Sequence, residues 1–174
     1  MTRISIASIA AAQRRLNRMG LPDKLAVFDE IHHKQPNFLA SCLVQGRLGS
    51  DETAVEFLLD VLLVCYLAMN ESEYEWPLIT EAVQERQLRR TVGAVRFAGD
   101  LKESDAVDAA LMQDLSDHPE QPLLAYVVRQ CTHWLQSVAV RNAAKEADKY
   151  VMMAAINLVN CIAFSSAELR SASR

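Results

Sequence analysis

Two long segments are apolar on almost every side, and they constrain the fold more than any other feature of the sequence. The first runs from Thr53 to Met69, and the second runs from about Tyr150 to Phe164. A helix that is apolar all round needs neighbours on several sides, so both segments predict central helices of an all-α domain. The first segment is too short to cross a bilayer comfortably and contains Glu56 and Asp60, which favours burial in a protein core over a membrane span.

The spacing of apolar residues predicts about eight helices, separated by breaks rich in proline, glycine or acidic residues. Pro22, Pro36, Pro77 and Pro122 each stand where a helix is expected to begin, because proline suits the first turn of a helix. No long segment alternates polar and apolar residues as a strand would. The expected helices cover about 3–19, 22–33, 36 to 46 or 49, 50–70, 77–99, 104–115, 122–138 and 144–164, and residues 166–174 are expected to form a frayed tail.

The order of features in the first half of the chain recurs in the second half at a spacing of about 85 residues. The stretch KLAVFDEI at 24–31 is matched by DAALMQDL at 108–115. Each stretch is followed by a Gln-Pro pair, Gln35-Pro36 or Gln121-Pro122, that starts an apolar helix. In each half the next helix is the most apolar one of that half, which makes a coincidence of single residues a weaker explanation than a shared plan.

This order predicts a single domain, 1–174, that is a pseudo-symmetric bundle of two helix–Gln-Pro–helix–helix units. The units are expected to span residues 1–73 and 74–168. The first and fifth helices would then occupy equivalent positions outside the two central helices, and Pro36 and Pro122 would begin equivalent helices. The period is too long for a solenoid, whose units span about 20–50 residues.

The net charge of −4 gives the chain as a whole no electrostatic footprint for nucleic acid. There are two small arginine clusters, one of Arg14, Arg15 and Arg18 and one of Arg86, Arg89 and Arg90. Both fit a solvated helix face, or cations near a helix C-terminus, where the helix dipole favours positive charge. A phosphate-binding patch is the alternative interpretation, but such binding normally uses more basic residues.

The four cysteines stand far apart, each inside an apolar helical stretch, and none forms a C-x-x-C pair. The spacing therefore supports neither a zinc ribbon nor a redox motif. Buried, reduced thiols are the expected state, which suits a reducing cytosol. We expect a soluble, cytoplasmic protein without a membrane span.

Glu30 and His33 have the spacing of two metal ligands on one face of a helix. Di-iron carboxylate bundles use a Glu-x-x-His pair twice, but here Asp114 in the second half has no His three residues later. His33 also stands beside Gln35-Pro36, where the helix is expected to end. We therefore interpret His32 and His33 as exposed residues at a helix C-terminus, with a metal site as the alternative.

Asp60 is the sharper candidate, because an ionised carboxylate on an apolar helix is costly unless it is paired or hydrogen-bonded. An arginine of the fifth helix, a Trp N–H, Asn157 or Asn160 could satisfy it. The leading interpretation is a core polar residue that fixes helix register. A pocket of two carboxylates formed with Glu56, one turn earlier, is the alternative.

Glu81 and Glu85 also stand one turn apart, in a segment that resembles the acidic helices lining magnesium sites in all-helical nucleotide pyrophosphatases. Such sites need several acidic turns that converge. The neighbouring arginines instead indicate i,i+4 ion pairs on a solvated face.

No converging catalytic groups stand out, so the leading functional prediction is a non-catalytic protein-interaction module. It would be an adaptor, an immunity-like protein or a homodimer, with a protein as its partner, no cofactor, and neither nucleic acid nor membrane as a target. The alternative is a metal- or nucleotide-dependent hydrolase on an all-α bundle, or a site for a small apolar ligand between the two halves. The weak metal candidates for that alternative are Glu30, His33, Glu56, Asp60 and Glu81.

Overall fold

Seven helices, and no strand, make up the part of the chain that the structure describes. The structure is a computed structural model, and it describes residues 2–100, 116–141 and 146–165. The helices are α1 (Ile6–Leu16), α2 (Leu21–Lys34), α3 (Pro36–Arg47), α4 (Glu52–Asn70), α5 (Glu81–Asp100), α6 (Gln121–Arg141) and α7 (Glu146–Phe164). The predicted all-α bundle is confirmed. The expected helix at 104–115 and the expected tail at 166–174 lie outside the described residues.

Helix α4 lies at the centre of the bundle, as its apolar pattern predicts. Eleven of its 19 residues are buried, including Leu58, Leu62 and Cys65. It packs against α1, α2, α3, α6 and α7. Neighbours on so many sides explain why the sequence places apolar residues on nearly every face of this helix.

Helix α7 is the second central helix. It packs against α3, α4, α5 and α6, with Val151, Ala155, Leu158 and Ile162 buried at 2% exposure or less. Its window from Ala147 to Phe164 is long and apolar enough to cross a membrane, but half of that window is buried inside the fold. Because its neighbours already cover it, α7 has the surroundings of a core helix.

The segments that precede α1 and α5 are each held by one buried polar side chain from elsewhere in the chain. Glu120, directly before α6, accepts a hydrogen bond from the backbone N–H of Ile4 (3.1 Å). Gln35, directly before α3, accepts one from the backbone N–H of Ile79 (2.9 Å). Ile4 and Ile79 each stand two residues before their helix, and both are almost completely buried. The outer helices α1 and α5 then pack mainly against the central helices α4 and α7, respectively.

Helix α5 begins at Glu81, so the prediction that Pro77 opens this helix is wrong. The cause is a contact that is remote in the sequence. The Gln35 amide donates from Nε2 to the carbonyl of Pro77 (2.9 Å) and accepts at Oε1 from Ile79. These two bonds hold the backbone of residues 77–79 outside the helix, and they outweigh the local preference of proline for a first helical turn.

Proline begins α3 as predicted, since Pro36 is its first residue, whereas Pro122 is the second residue of α6. Gln35, the first residue of the first Gln-Pro pair, accepts the hydrogen bond from Ile79. In the second half, the residue that accepts the bond from Ile4 is Glu120, which directly precedes the Gln-Pro pair.

All four cysteines are buried and free, as expected. Burial raises the pKa of Cys42 to about 12 and that of Cys131 to about 11, and it also raises the pKa of Cys65. The thiols therefore stay protonated in the folded protein up to a pH at which they would ionise in the unfolded chain.

This difference predicts that the protein loses stability as the pH rises above about 9. The unfolded chain releases its thiol protons there, whereas the folded chain holds them until the pH approaches 11 or 12. The contribution is complete below pH 9 and should fall by about 1–2 kcal/mol per buried thiol by about pH 10.5. Urea unfolding at pH 8 and at about pH 10.5, with a reductant present, measures the change. Cys42→Ala should show a smaller pH dependence than the wild type, and an unchanged slope would contradict the explanation.

Candidate functional site

Glu30 and His33 lie on α2 but do not form a common site. Glu30 accepts hydrogen bonds from Lys34 Nζ (2.7 Å) and from the Tyr66 hydroxyl (3.0 Å). The pKa of Glu30 is lowered, mainly because Lys34 donates to its carboxylate. His33 is exposed, and its ring donates from Nδ1 to the Asp29 carbonyl one turn earlier (2.6 Å). Both groups thus have local partners, and His33 has the exposed position expected of it.

Asp60 is exposed and is not a core residue, so the interpretation that it fixes helix register inside the core is wrong. Its side chain is 54% exposed and accepts a hydrogen bond from Lys24 Nζ of α2 (2.9 Å). Glu56, one turn earlier, is also exposed. Of the 19 residues of α4, these two lie on the narrow face that the neighbouring helices leave open. An exposed pair of this kind stabilises the fold by less than about 1 kcal/mol.

Asn157 and Asn160 face α5, on another side of the bundle from Asp60. Asn157 donates to the Gln84 carbonyl (3.2 Å), and Asn160 donates to the Thr91 hydroxyl (2.9 Å). These contacts tie the outer helix α5 to the central helix α7. The two asparagines are therefore packing residues of the α5–α7 interface, and the suggested contact with Asp60 is not made.

Glu81 is the first residue of α5 and is exposed, and Glu85 forms an i,i+4 ion pair with Arg89 (2.6 Å). The expected ion pair on a solvated face is confirmed. Across the described residues, no three His, Cys, Asp or Glu side chains converge in a way that could hold a metal ion. The five metal candidates are thus distributed over α2, α4 and α5, with no common centre among them.

The most completely buried charged group of the described chain is Glu120, which sequence patterns did not single out. Its carboxylate accepts hydrogen bonds from the Arg3 and Ile4 backbones and from Arg3 Nε (2.7 Å). Arg3 also donates to the carbonyls of Ile162 and Ala163 at the end of α7 (both 2.8 Å). Its guanidinium lies 4.5 Å from the centre of the Trp76 ring. Because all these partners are structural, we interpret this ion pair as a joint between four segments.

The feature of the surface that points to a function is a concentration of exposed apolar side chains on two packed helices. Nine large apolar side chains are exposed in the described residues, and five of them belong to α2, α3 or the residue after α3. We call these five the α2–α3 surface; they are Leu21, Leu25, Leu43, Val44 and Leu48. Exposed apolar side chains that occur singly are normal on a protein surface, whereas a concentration of them points to recognition.

The sequence contained the signal for this surface, although only the structure separates it from the core. Leu21 and Leu25 are one turn apart and are 70% and 54% exposed, whereas Val27 and Ile31 on the same helix are buried. Leu48 is 60% exposed. An apolar residue looks the same in a sequence whether it faces a core or a partner.

No protein-family model, curated protein or solved structure matches this chain.

Proposed function

We propose that this chain is a protein-interaction module that binds a partner through the α2–α3 surface. The observation that carries the proposal is the exposure of five large apolar side chains on one helical hairpin. Burial of apolar area lowers the free energy by about 25 cal/mol per Å². A partner that covers these five side chains therefore obtains more binding free energy from them than from a polar face of the bundle. The rest of the described surface holds exposed apolar residues one or two at a time.

The position of these residues also supports a binding role, because they contribute little to the core. A leucine that is more than half exposed in the folded chain has little transfer free energy to lose on substitution, and surface changes usually alter stability by less than about 0.5 kcal/mol. Helix packing on the other side of α2 and α3 is supplied by buried residues such as Ile31, Phe38 and Cys42. One side of the hairpin thus packs into the core, and its exposed apolar residues can contact a partner.

The proposal is tested by a double variant, Leu21→Ser with Leu25→Ser. Light scattering measures the mass of each purified protein over a range of concentrations, and affinity capture from the native cell identifies bound proteins. We expect the double variant to lose a self-associated state or a captured partner that the wild type shows, because the partner loses its apolar contacts. A partner that is captured equally by both proteins would contradict the proposal.

A matched control is available in Leu78→Ser. Leu78 is 55% exposed, in the segment before α5, and so resembles Leu25 in exposure but lies outside the α2–α3 surface. This variant should keep the mass and the partners of the wild type. If it loses them as well, the effect is one of general surface hydrophobicity and not of the proposed surface.

We also propose that the protein acts in the cytoplasm, in a reducing environment. Four buried free thiols support this location, because thiols remain reduced in that compartment. The alternative of a metal-dependent hydrolase is separated from the proposal by elemental analysis of the purified protein. Stoichiometric Fe, Mn or Zn would favour the hydrolase.

A further inference from the structure

A groove lies between α1 and α2, two consecutive helices joined by a short turn. Its volume is about 540 Å³, and it is open to solvent. Three arginines line it, Arg14, Arg15 and Arg18, together with apolar atoms of Met19 and Ala26. The groove therefore combines positive charge with an apolar surface.

Within residues 2–100, 116–141 and 146–165, none of the three arginines forms a hydrogen bond or a close ion pair. Arg15 is nevertheless near enough to Glu30 to help lower the pKa of that carboxyl. The groove also contains two acidic residues, which offset part of the charge of the three arginines and already accept hydrogen bonds from other groups. Asp23 accepts from the Gly20 backbone (3.1 Å), and Glu30 accepts from Lys34 (2.7 Å). Arg14 and Arg18 thus remain available to an incoming anion, while Arg15 also interacts with the charge of Glu30.

The helix dipoles do not neutralise this charge. Arg14 and Arg15 lie in the last turn of α1, where the dipole carries about half a negative charge. The N-terminus of α2 follows only a few residues later and brings about half a positive charge to the same turn. The first 22 residues of the chain contain four arginines and no acidic residue, although the whole protein has a net charge of −4. The lining of the groove therefore keeps an excess of positive charge, three arginines against two carboxylates, in a protein of negative net charge.

We propose that the groove binds an acidic segment of a partner protein. Carboxylates of that segment pair with Arg14, Arg15 and Arg18, and its apolar side chains contact Met19 and Ala26. Arginine suits this role because its planar guanidinium holds a carboxylate through two parallel hydrogen bonds. This inference rests on the proposed function, since it takes the ligand to be a protein, but it assigns a second surface with a different chemistry.

A protein segment fits the groove better than nucleic acid does. Nucleic-acid binding draws its affinity from many phosphate contacts along a continuous basic surface. Here the positive groove is short, and it belongs to a protein with a negative net charge. An acidic segment with interspersed apolar residues matches both the charge and the apolar atoms of the groove.

The test uses fluorescence anisotropy with a labelled Glu-Leu repeat peptide at low ionic strength, and with its Gln-Leu analogue. The full chain should bind the Glu-Leu peptide, and binding should weaken with added salt. Arg14→Gln with Arg18→Gln should weaken it about tenfold or more, since both charge-assisted hydrogen bonds to the peptide carboxylates are lost. The Gln-Leu peptide should bind much more weakly to the wild type.

The matched control is Arg47→Gln with Arg129→Gln, which removes two exposed positive charges outside the groove. This variant should bind the Glu-Leu peptide as the wild type does. Equal weakening in both double variants, no binding to the wild type, or complete competition by inorganic phosphate or a DNA duplex at lower concentration than the peptide would overturn the proposal.

The Leu21→Ser, Leu25→Ser variant distinguishes this inference from the proposed function. It should bind the Glu-Leu peptide normally, because its changes lie outside the groove lining. If the wild type binds the peptide but the variant keeps every native partner, the proposed role of the α2–α3 surface is wrong and the groove proposal stands. If the variant loses a native partner but the wild type does not bind the peptide, the groove proposal is wrong and the α2–α3 surface stands.

Discussion

Replacing Glu120 with alanine is expected to lower the free energy of unfolding by about 3–5 kcal/mol, because it removes one partner of a buried ion pair. The Glu120 side chain is 1% exposed, and that of Arg3 is 18% exposed. Without the carboxylate, the Arg3 guanidinium and the Ile4 backbone N–H lose an acceptor that water cannot easily replace. Urea unfolding monitored by circular dichroism measures the loss.

Two further variants separate the charge of Glu120 from its hydrogen bonds. Glu120→Gln keeps an acceptor for Ile4 but loses the charge, and it should cost less than the alanine variant. Glu73→Ala removes an exposed carboxylate near the end of α4 and should change stability by less than about 0.5 kcal/mol. If Glu120→Ala unfolds at the urea concentration of the Glu73 control, the ion pair does not hold these segments together.

The central helices could be predicted from the sequence because their signal is local. An apolar pattern on every face of Thr53–Met69 leaves only a central position for this helix in a soluble fold. The start of α5 could not be predicted in this way. Gln35 fixes the backbone at Pro77 and Ile79 from more than 40 residues away, and no pattern near residue 77 reports that contact.

The ion pairs of the fold also divide into local ones, which the sequence predicts, and remote ones, which it does not. Glu85 and Arg89 are one turn apart, so their ion pair is visible in the sequence. Arg3 and Glu120 are 117 residues apart, and neither stands in a distinctive motif. The position of Asp60 could not be predicted, because a largely apolar helix with a few acidic residues does not reveal which face its neighbours leave uncovered. Its partner, Lys24, belongs to a helix whose packing angle the sequence does not specify.

We infer that the two halves of the chain share one plan, as the repeated order of features suggested. Support comes from the two buried acceptors, Gln35 and Glu120, each of which precedes a helix and binds the backbone two residues before an outer helix. The outer helices α1 and α5 pack mainly on α4 and α7. An amide at one position and a carboxylate at the other perform the same backbone role, and only the carboxylate has an arginine partner.

Leu62→Ala and Leu158→Ala are each expected to destabilise the protein by about 2–5 kcal/mol, because each leaves a cavity in the core. Leu62 is fully buried in α4, and Leu158 is 2% exposed in α7. The two leucines stand three residues before Cys65 and Cys161, which are matched when the central helices of the two halves are aligned. If the halves share one plan, the two losses should be similar in size.

The control for both core variants is Leu25→Ala, since Leu25 is 54% exposed and should cost less than about 0.5 kcal/mol. Its small effect would also follow from the proposed function, because a residue reserved for a partner adds little to the isolated fold. A loss below about 1 kcal/mol for either Leu62→Ala or Leu158→Ala would mean that its helix is not central. A loss of several kcal/mol for Leu25→Ala would instead place this leucine in the core and remove it from the α2–α3 surface.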